Sequence, residues 1–495
     1  MKAIAAVLGL LAASMAWGDS PGGARVAGIP SKSPLVTVRA VFLTGAAYDP
    51  AGKPGLAALT AAMLAGGGTR EMTYRQIVDA MYPMATSVAS QTDKEMISFT
   101  AATHVDNLEA FYKIFRAMLL DPGWREDDFT RLRDDAINFL KVSLRGNNDE
   151  ELGKEALYNL IYAGHPYGHH DLGTVSSLEK LTLADVRDFY RSHFTQGNLI
   201  LGIAGGYPPD FPERMKHDFA NLPEAGAAPV VLPQPKPLAG NRVLLIQKDT
   251  RSVAISLGFP IDVKRGDPDY AALLVMQSYF GQHRMSGGLL YQQMREMRGL
   301  NYGDYAYLEY FPRGMYQLEP SPNLARRQQI FQIWIRPVEP PTAHFALRLA
   351  LFELNKLIEQ GMPQESFERT RLFLAKYVNL MTKTKTAELG YAIDSLFYGI
   401  PDYNRYVKDS LAKLTLEDVN RAIRKHLRAD NLDIVIVAKD CEGLKRALLA
   451  DEPSPMKYNS AKPQAILDED KIVEKWKIGL APDAVTVAPA ERIFE

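Results

Sequence analysis

One block of this sequence is written twice. L-T-L-A-D-V-R-D-F-Y-R-S-H-F-T-Q-G-N-L-I-L-G-I-A opens at Leu181, and L-T-L-E-D-V-N-R-A-I-R-K-H-L-R-A-D-N-L-D-I-V-I-V opens at Leu414. Both run L-T-L-x-D-V, reach a histidine (His193, His426), then Asn-Leu (Asn198-Leu199, Asn431-Leu432), and close on an alternating apolar stretch with no gap between the copies. So long an ungapped match indicates an internal duplication, and a duplicated chain folds as two similar units.

The local chemistry of each copy is readable. Thr182 and Thr415 are placed as helix N-caps, with Asp185 and Asp418 three residues on to face the free N-terminal amides. The following segment predicts an amphipathic helix, and Asn-Leu feeds a strand. His193 and His426 fall at the helix C-termini, where packing is the expected role. Between the copies, residues 222–240 carry five prolines and read as an inter-domain linker. Beyond it, Val243–Gln247 and Val253–Phe259 restart the strand pattern. Asp267–Phe280 then repeats the apolar helix that Gly55–Leu64 forms after the strand-like run Leu35–Leu43.

Strands and helices mix in each half without regular β-α-β alternation. The expected class is therefore α+β: two homologous mixed sheet-and-helix domains joined by a Pro-rich linker. The boundaries read 19–221 for the first domain, 222–240 for the linker and 241–450 for the second. Residues 451–495 read as a tail draped over the body or partly disordered.

A chain of 495 residues with 46% hydrophobic and 23% charged residues is an ordinary globular composition. The net charge of −1 argues against nucleic acid as a main partner. Past the N-terminus no apolar run is long enough to span a membrane. Residues 1–18 have one early lysine, an apolar run and small residues before the end, the pattern of a secretory signal cleaved after Gly18. The expected location is periplasmic or secreted. Cys441 is the single cysteine, so neither a disulfide framework nor a zinc–thiolate site is available.

The order strand, D-P-A-G-K-P-G-L-A (from Asp49), helix, M-L-A-G-G-G-T-R (from Met63) resembles the first domain of the pitrilysin/insulinase family of inverted zinc peptidases. H-P-Y-G-x-x-x-x-G (His165–Gly173) and the L-T-x-x-D-V helix add to the likeness, which covers roughly residues 30 to 440. The resemblance implies a clamshell arrangement of the two halves. Active members carry H-x-x-E-H on the first helix, two imidazoles for zinc and a glutamate base for the metal-bound water. Here those positions read Ala58, Ala61 and Ala62. The third ligand position falls on Asn138, to within a residue or two, with Asp134 and Asp135 close by. Methyl groups cannot coordinate zinc, so no metal is expected on this chain, whereas alanine keeps the helix.

In G-L-L-Y-Q-Q-M-R-E-M-R-G-L-N-Y-G, Arg295 and Tyr302 are similar to the arginine–tyrosine pair that the family's second domain brings over the zinc cleft. A guanidinium and a phenol are donors suited to a scissile carbonyl and the oxyanion formed from it; surface packing is the plain alternative. The histidines of H-P-Y-G-H-H are read as a structural turn rather than a metal cluster, and A-G-G-G-T-R as a turn rather than a phosphate cradle. Tyr305, Tyr307, Tyr310, Phe311 and Tyr316 are candidates for a peptide groove or for core.

The resemblance implies a non-catalytic, substrate-contacting subunit of an exported heteromeric zinc endopeptidase. A homologous partner carrying H-x-x-E-H would bring the zinc, and Arg295 and Tyr302 would complete its site on an unfolded peptide. A pseudo-peptidase scaffold or peptide-binding protein is the alternative, and an enzyme with an unrecognised site the third.

Overall fold

Eleven strands follow one another in a computed structural model that describes residues 23–225, 229–314 and 317–495. The expected signal segment 1–18 and Tyr316 lie outside the described residues. The strands are β1 (Arg25–Pro30), β2 (Leu35–Phe42), β3 (Ala89–Thr92), β4 (Ile97–His104), β5 (Leu199–Gly205), β6 (Arg242–Gln247), β7 (Val253–Ile261), β8 (Asp304–Tyr307), β9 (Gln329–Val338), β10 (Asp433–Ala438) and β11 (Val485–Pro489). The first sheet has the order β1-β5-β2-β4-β3; the second, β11-β6-β10-β7-β9-β8.

The duplication is visible in this order. Dropping β11, each strand of the second sheet takes the place of a strand of the first, and the directions agree. The β1–β5 and β6–β10 pairs are parallel, and the remaining pairs are antiparallel. Both expected capping boxes form: Thr182 with Asp185 opens helix Leu183–His193, and Thr415 with Asp418 opens helix Leu416–His426. The two histidines serve structure. His193 stacks on Phe189 at 4.1 Å, and His426 Nε2 meets Asp269 at 2.8 Å.

The halves interlock. Helix Asp149–Ile161 of the first half packs on β7 and β10 of the second, while helix Lys385–Tyr398 of the second packs on β1 and β5 of the first. Gly202 of β5 explains the close approach, since a Cβ there would lie 3.1 Å from Leu389 and Ile393. Each sheet thus has a face covered by a helix from the other half, and the buried apolar cluster of the first half takes in Ile246, Ala254, Tyr310, Val435 and Val437 of the second.

Residues 451–495 are more than a draped tail. They form helix Gln464–Val473 and then β11, which adds to the free edge of β6 in parallel. The last residues cross to the first half: Val175 N donates to Phe494 O at 3.0 Å, and Arg145 Nη2 meets Glu495 at 2.7 Å. Local composition gave no sign of this because the anchoring groups, an edge strand, Phe494 and the charges Glu469, Asp470 and Glu495, meet partners far away along the chain.

Candidate functional site

The first helix, Leu56–Gly66, begins where a strand and turn deliver it. Asp49 accepts from the amides of Gly55 and Ala57, both at 2.7 Å, and so holds the helix start without a cap at Gly55 itself. The helix packs against Glu126–Asn138, where the resemblance places the third ligand. The two elements of a metal cleft are therefore adjacent, but their side chains are wrong for it. Ala58 is 5% and Ala61 1% exposed, Ala62 is half-buried, and Asn138 ends its helix exposed. Asp134 pairs with Arg133 at 3.0 Å and Asp135 lies 3.9 Å from Arg131, both at the surface. Among the described residues no group of three or more His, Cys, Asp or Glu side chains could hold a metal ion. Ala61 is itself part of the buried apolar cluster of the first half.

The histidine-rich turn disperses its rings. His165 Nε2 meets Pro233 O at 3.0 Å, His169 Nε2 meets Asp49 at 3.1 Å, and His170 Nδ1 accepts from Leu172 N at 3.0 Å. Burial holds His170 down at about 4, so it is a neutral core residue.

Arg295 lies on a wide, π-type turn, Gln292–Glu296, which follows a short helical turn, Leu289–Tyr291. Such turns are frequent at functional positions. The turn is ended by Gly299, whose φ of 70° lets the chain reverse while its N–H donates to Arg295 O at 2.8 Å. The reversal brings Tyr302 back beside Arg295. The Arg295 guanidinium lies 5.4 Å from the Tyr302 ring and 5.0 Å from the Tyr291 ring, and its Nη1 donates to Tyr302 O at 3.3 Å. Tyr302 is 77% exposed. Among the described residues no hydrogen bond reaches its hydroxyl, and neither member of the pair makes a polar or ring contact with the first half. The Tyr302 hydroxyl stands at the surface beside a half-buried Arg295 guanidinium that spends one N–H on Tyr302 O.

The other aromatics turn inward. Tyr305, Tyr307, Phe311 and Trp334 form a buried cluster, with His283 bonded to the Tyr307 hydroxyl, and Tyr310 donates to Glu155 at 3.0 Å. They are core, and among the described residues of the series only Tyr302 faces out.

A sequence model described as "Insulinase (Peptidase family M16)" matches residues 25–175, and one described as "Peptidase M16 inactive domain" matches residues 180–374. The chain belongs to the insulinase (M16) peptidase family. It is a member that lacks the metal site. A curated M16 relative, "Non-peptidase homolog YmxG" of Helicobacter pylori, is 22% identical over 82% of this chain and 89% of its own length. Among solved structures, the M16 inactive domain from Pseudomonas fluorescens superposes with a TM-score of 0.74 at 22% identity, covering 86% of this chain and 97% of that one. A chain of complex III2 from Candida albicans shares the fold at a TM-score of 0.69 and 15% identity, covering 86% of this chain and 96% of that one.

Residue-by-residue reading missed what supports the pair. Arg298 lies within the quoted motif, yet its partners, Glu469 and Asp470, lie far along the chain. Asn301, next to Tyr302, donates to Asp304 Oδ1 at 2.7 Å and to Arg336 O at 2.9 Å. No local pattern signals such contacts.

Proposed function

We propose that this chain is the metal-free, substrate-contacting subunit of an exported heteromeric zinc endopeptidase. A homologous partner with H-x-x-E-H brings the zinc, and Arg295 and Tyr302 complete the site on an unfolded peptide. The observation that carries this reading is the pairing of the half-buried Arg295 guanidinium with the exposed Tyr302 ring, 5.4 Å apart, on a chain whose own helix offers only Ala58, Ala61 and Ala62. A guanidinium and a phenol fixed side by side donate to a carbonyl oxygen and gain strength as it becomes an oxyanion. Packing of Arg295 between two phenol rings limits the rotamers it must give up on binding.

The test is reconstitution with a neighbouring-gene homologue that has H-x-x-E-H, assayed on an unstructured peptide with each chain alone as control. Activity is expected only from the mixture. Arg295→Ala or Tyr302→Phe should lower kcat by about tenfold or more, the scale of a lost oxyanion donor. Unchanged activity in both variants, with the complex intact, favours a scaffold. That second reading draws on the YmxG relative, whose description is that of a non-peptidase.

A further inference from the structure

Arg298 stands three residues past Arg295 and immediately before the left-handed Gly299, and its side chain is 0% exposed. Its Nη1 donates to Gln293 O at 3.0 Å and to Gln293 Oε1 at 2.8 Å, so it closes the wide turn upon itself. Its other donors leave the turn altogether. Nε donates to Asp470 Oδ1 at 2.8 Å and Nη2 to Glu469 Oε2 at 2.7 Å, both on the tail helix Gln464–Val473. Those carboxylates are held in turn: Tyr458 donates to Asp470 at 2.5 Å and Lys356 to Glu469 at 3.1 Å. The tail then contributes β11 to the second sheet and ends on the first half.

We propose that Glu469 and Asp470 are positioning residues for the Arg295–Tyr302 pair, acting through Arg298, and that the C-terminal tail is the clamp that sets this turn. Backbone hydrogen bonds such as Met297 N to Gln292 O at 2.9 Å and Leu300 N to Met294 O at 3.0 Å shape the turn, but they tie it only to itself and not to the rest of the second half. A planar guanidinium bound by two carboxylates and by the turn's own Gln293 fixes position and direction together. Donor pairs that act on a developing charge depend on such preorganisation. The catalytic part of this inference rests on the function proposed above; the clamp itself does not.

The experiment uses the full chain with Glu469→Gln, Asp470→Asn, the double variant and Arg298→Lys. Amide hydrogen exchange is read at residues 292–303, with β10 as the internal standard. The double variant is expected to speed exchange at 292–303 by at least about tenfold while β10 stays protected. Arg145→Ala, which frees the chain end but not the tail helix, should leave 292–303 unchanged. In the reconstituted peptidase the double variant should lower kcat about tenfold or more with KM within about twofold, since the pair is displaced rather than removed. The isosteric single variant Asp470→Asn gives a smaller change of the same sign if the double variant folds poorly. Unchanged exchange at 292–303 in both overturns the clamp whatever the activity. Faster exchange with unaltered kcat, where Arg295→Ala is inactive, overturns the positioning role. An Arg295→Ala variant that keeps full activity instead refutes the proposed function, and the exchange result still decides the clamp.

Discussion

Arg326 of the second half donates its Nε to Asp93 of the first at 2.8 Å, and both side chains are buried. The guanidinium also lies over the Tyr310 ring at 3.7 Å. The next two residues repeat the pattern, with Lys94 meeting Asp171 at 2.5 Å and Glu95 meeting Arg327 at 2.5 Å. Burial pushes Asp93 up to about 6 against the pull of Arg326. Three consecutive residues of one β-turn thus bind three separate partners, two of them in the other half.

Breaking the Asp93–Arg326 pair should be expensive. Asp93→Asn leaves a buried guanidinium without its counter-charge, for a loss of about 3–5 kcal/mol. A double variant, Asp93→Asn with Arg326→Met, should recover much of this. Urea midpoints of the four proteins measure both terms; a single variant within about 1 kcal/mol of the parent would show that the pair does not hold the halves together.

The alanine helix predicts an asymmetry. Ala61 is buried and Ala62 half-buried. Ala61→Glu forces a carboxyl into filled core and should cost at least about 2 kcal/mol, through desolvation and overpacking. Ala62→His should cost less than about 1 kcal/mol, in keeping with a partly solvated site. Thermal melts of the two variants provide the comparison, and equal losses would contradict the packing described for this helix.

Glu353 sets a pH dependence. It is 1% exposed, accepts no hydrogen bond at Oε1, and faces Lys356, Glu469, Arg298 and Tyr279. Burial lifts it from 4.5 to about 7, with Lys356 and Arg298 opposing and Glu469 adding to the rise. The folded value exceeds the unfolded one, so this group's contribution is complete below pH 4.5 and is lost as the pH rises through about 7. Glu353→Gln is expected to raise the melting temperature at pH 8 relative to the parent and to flatten its change between pH 5 and 8. Calorimetric melts across that range test the sign.

The chain end should matter to the first half. Arg145 Nε donates to Ile493 O at 2.6 Å and Nη2 meets Glu495 at 2.7 Å. Removing residues 493–495 should cost about 1–3 kcal/mol and make the tail more open to limited proteolysis. A digest and melt identical to those of the parent would refute the anchoring.

Much of the plan was legible in advance because its signals are local. The repeated L-T-L-x-D-V block announced two like halves, and its Thr–Asp spacing announced capping boxes that both form. Ala58, Ala61 and Ala62 stand where the resemblance places two zinc ligands and the base, and they offer only methyl groups. The aromatic run after Tyr302 was ambiguous, since a tyrosine lining a groove and one in a core look alike without knowledge of which face is covered. Tyr307 and Tyr310 proved to be core.

Sequence alone determined the class, the duplication and the alanines of the first helix, because periodicity, capping and side-chain type are written within a few positions of one another. Tertiary structure alone decided that the halves exchange helices, that Asp93 meets Arg326, and that Glu469 and Asp470 hold Arg298. These contacts join residues more than a hundred positions apart, and a charge carries no local mark of the partner that will bury it.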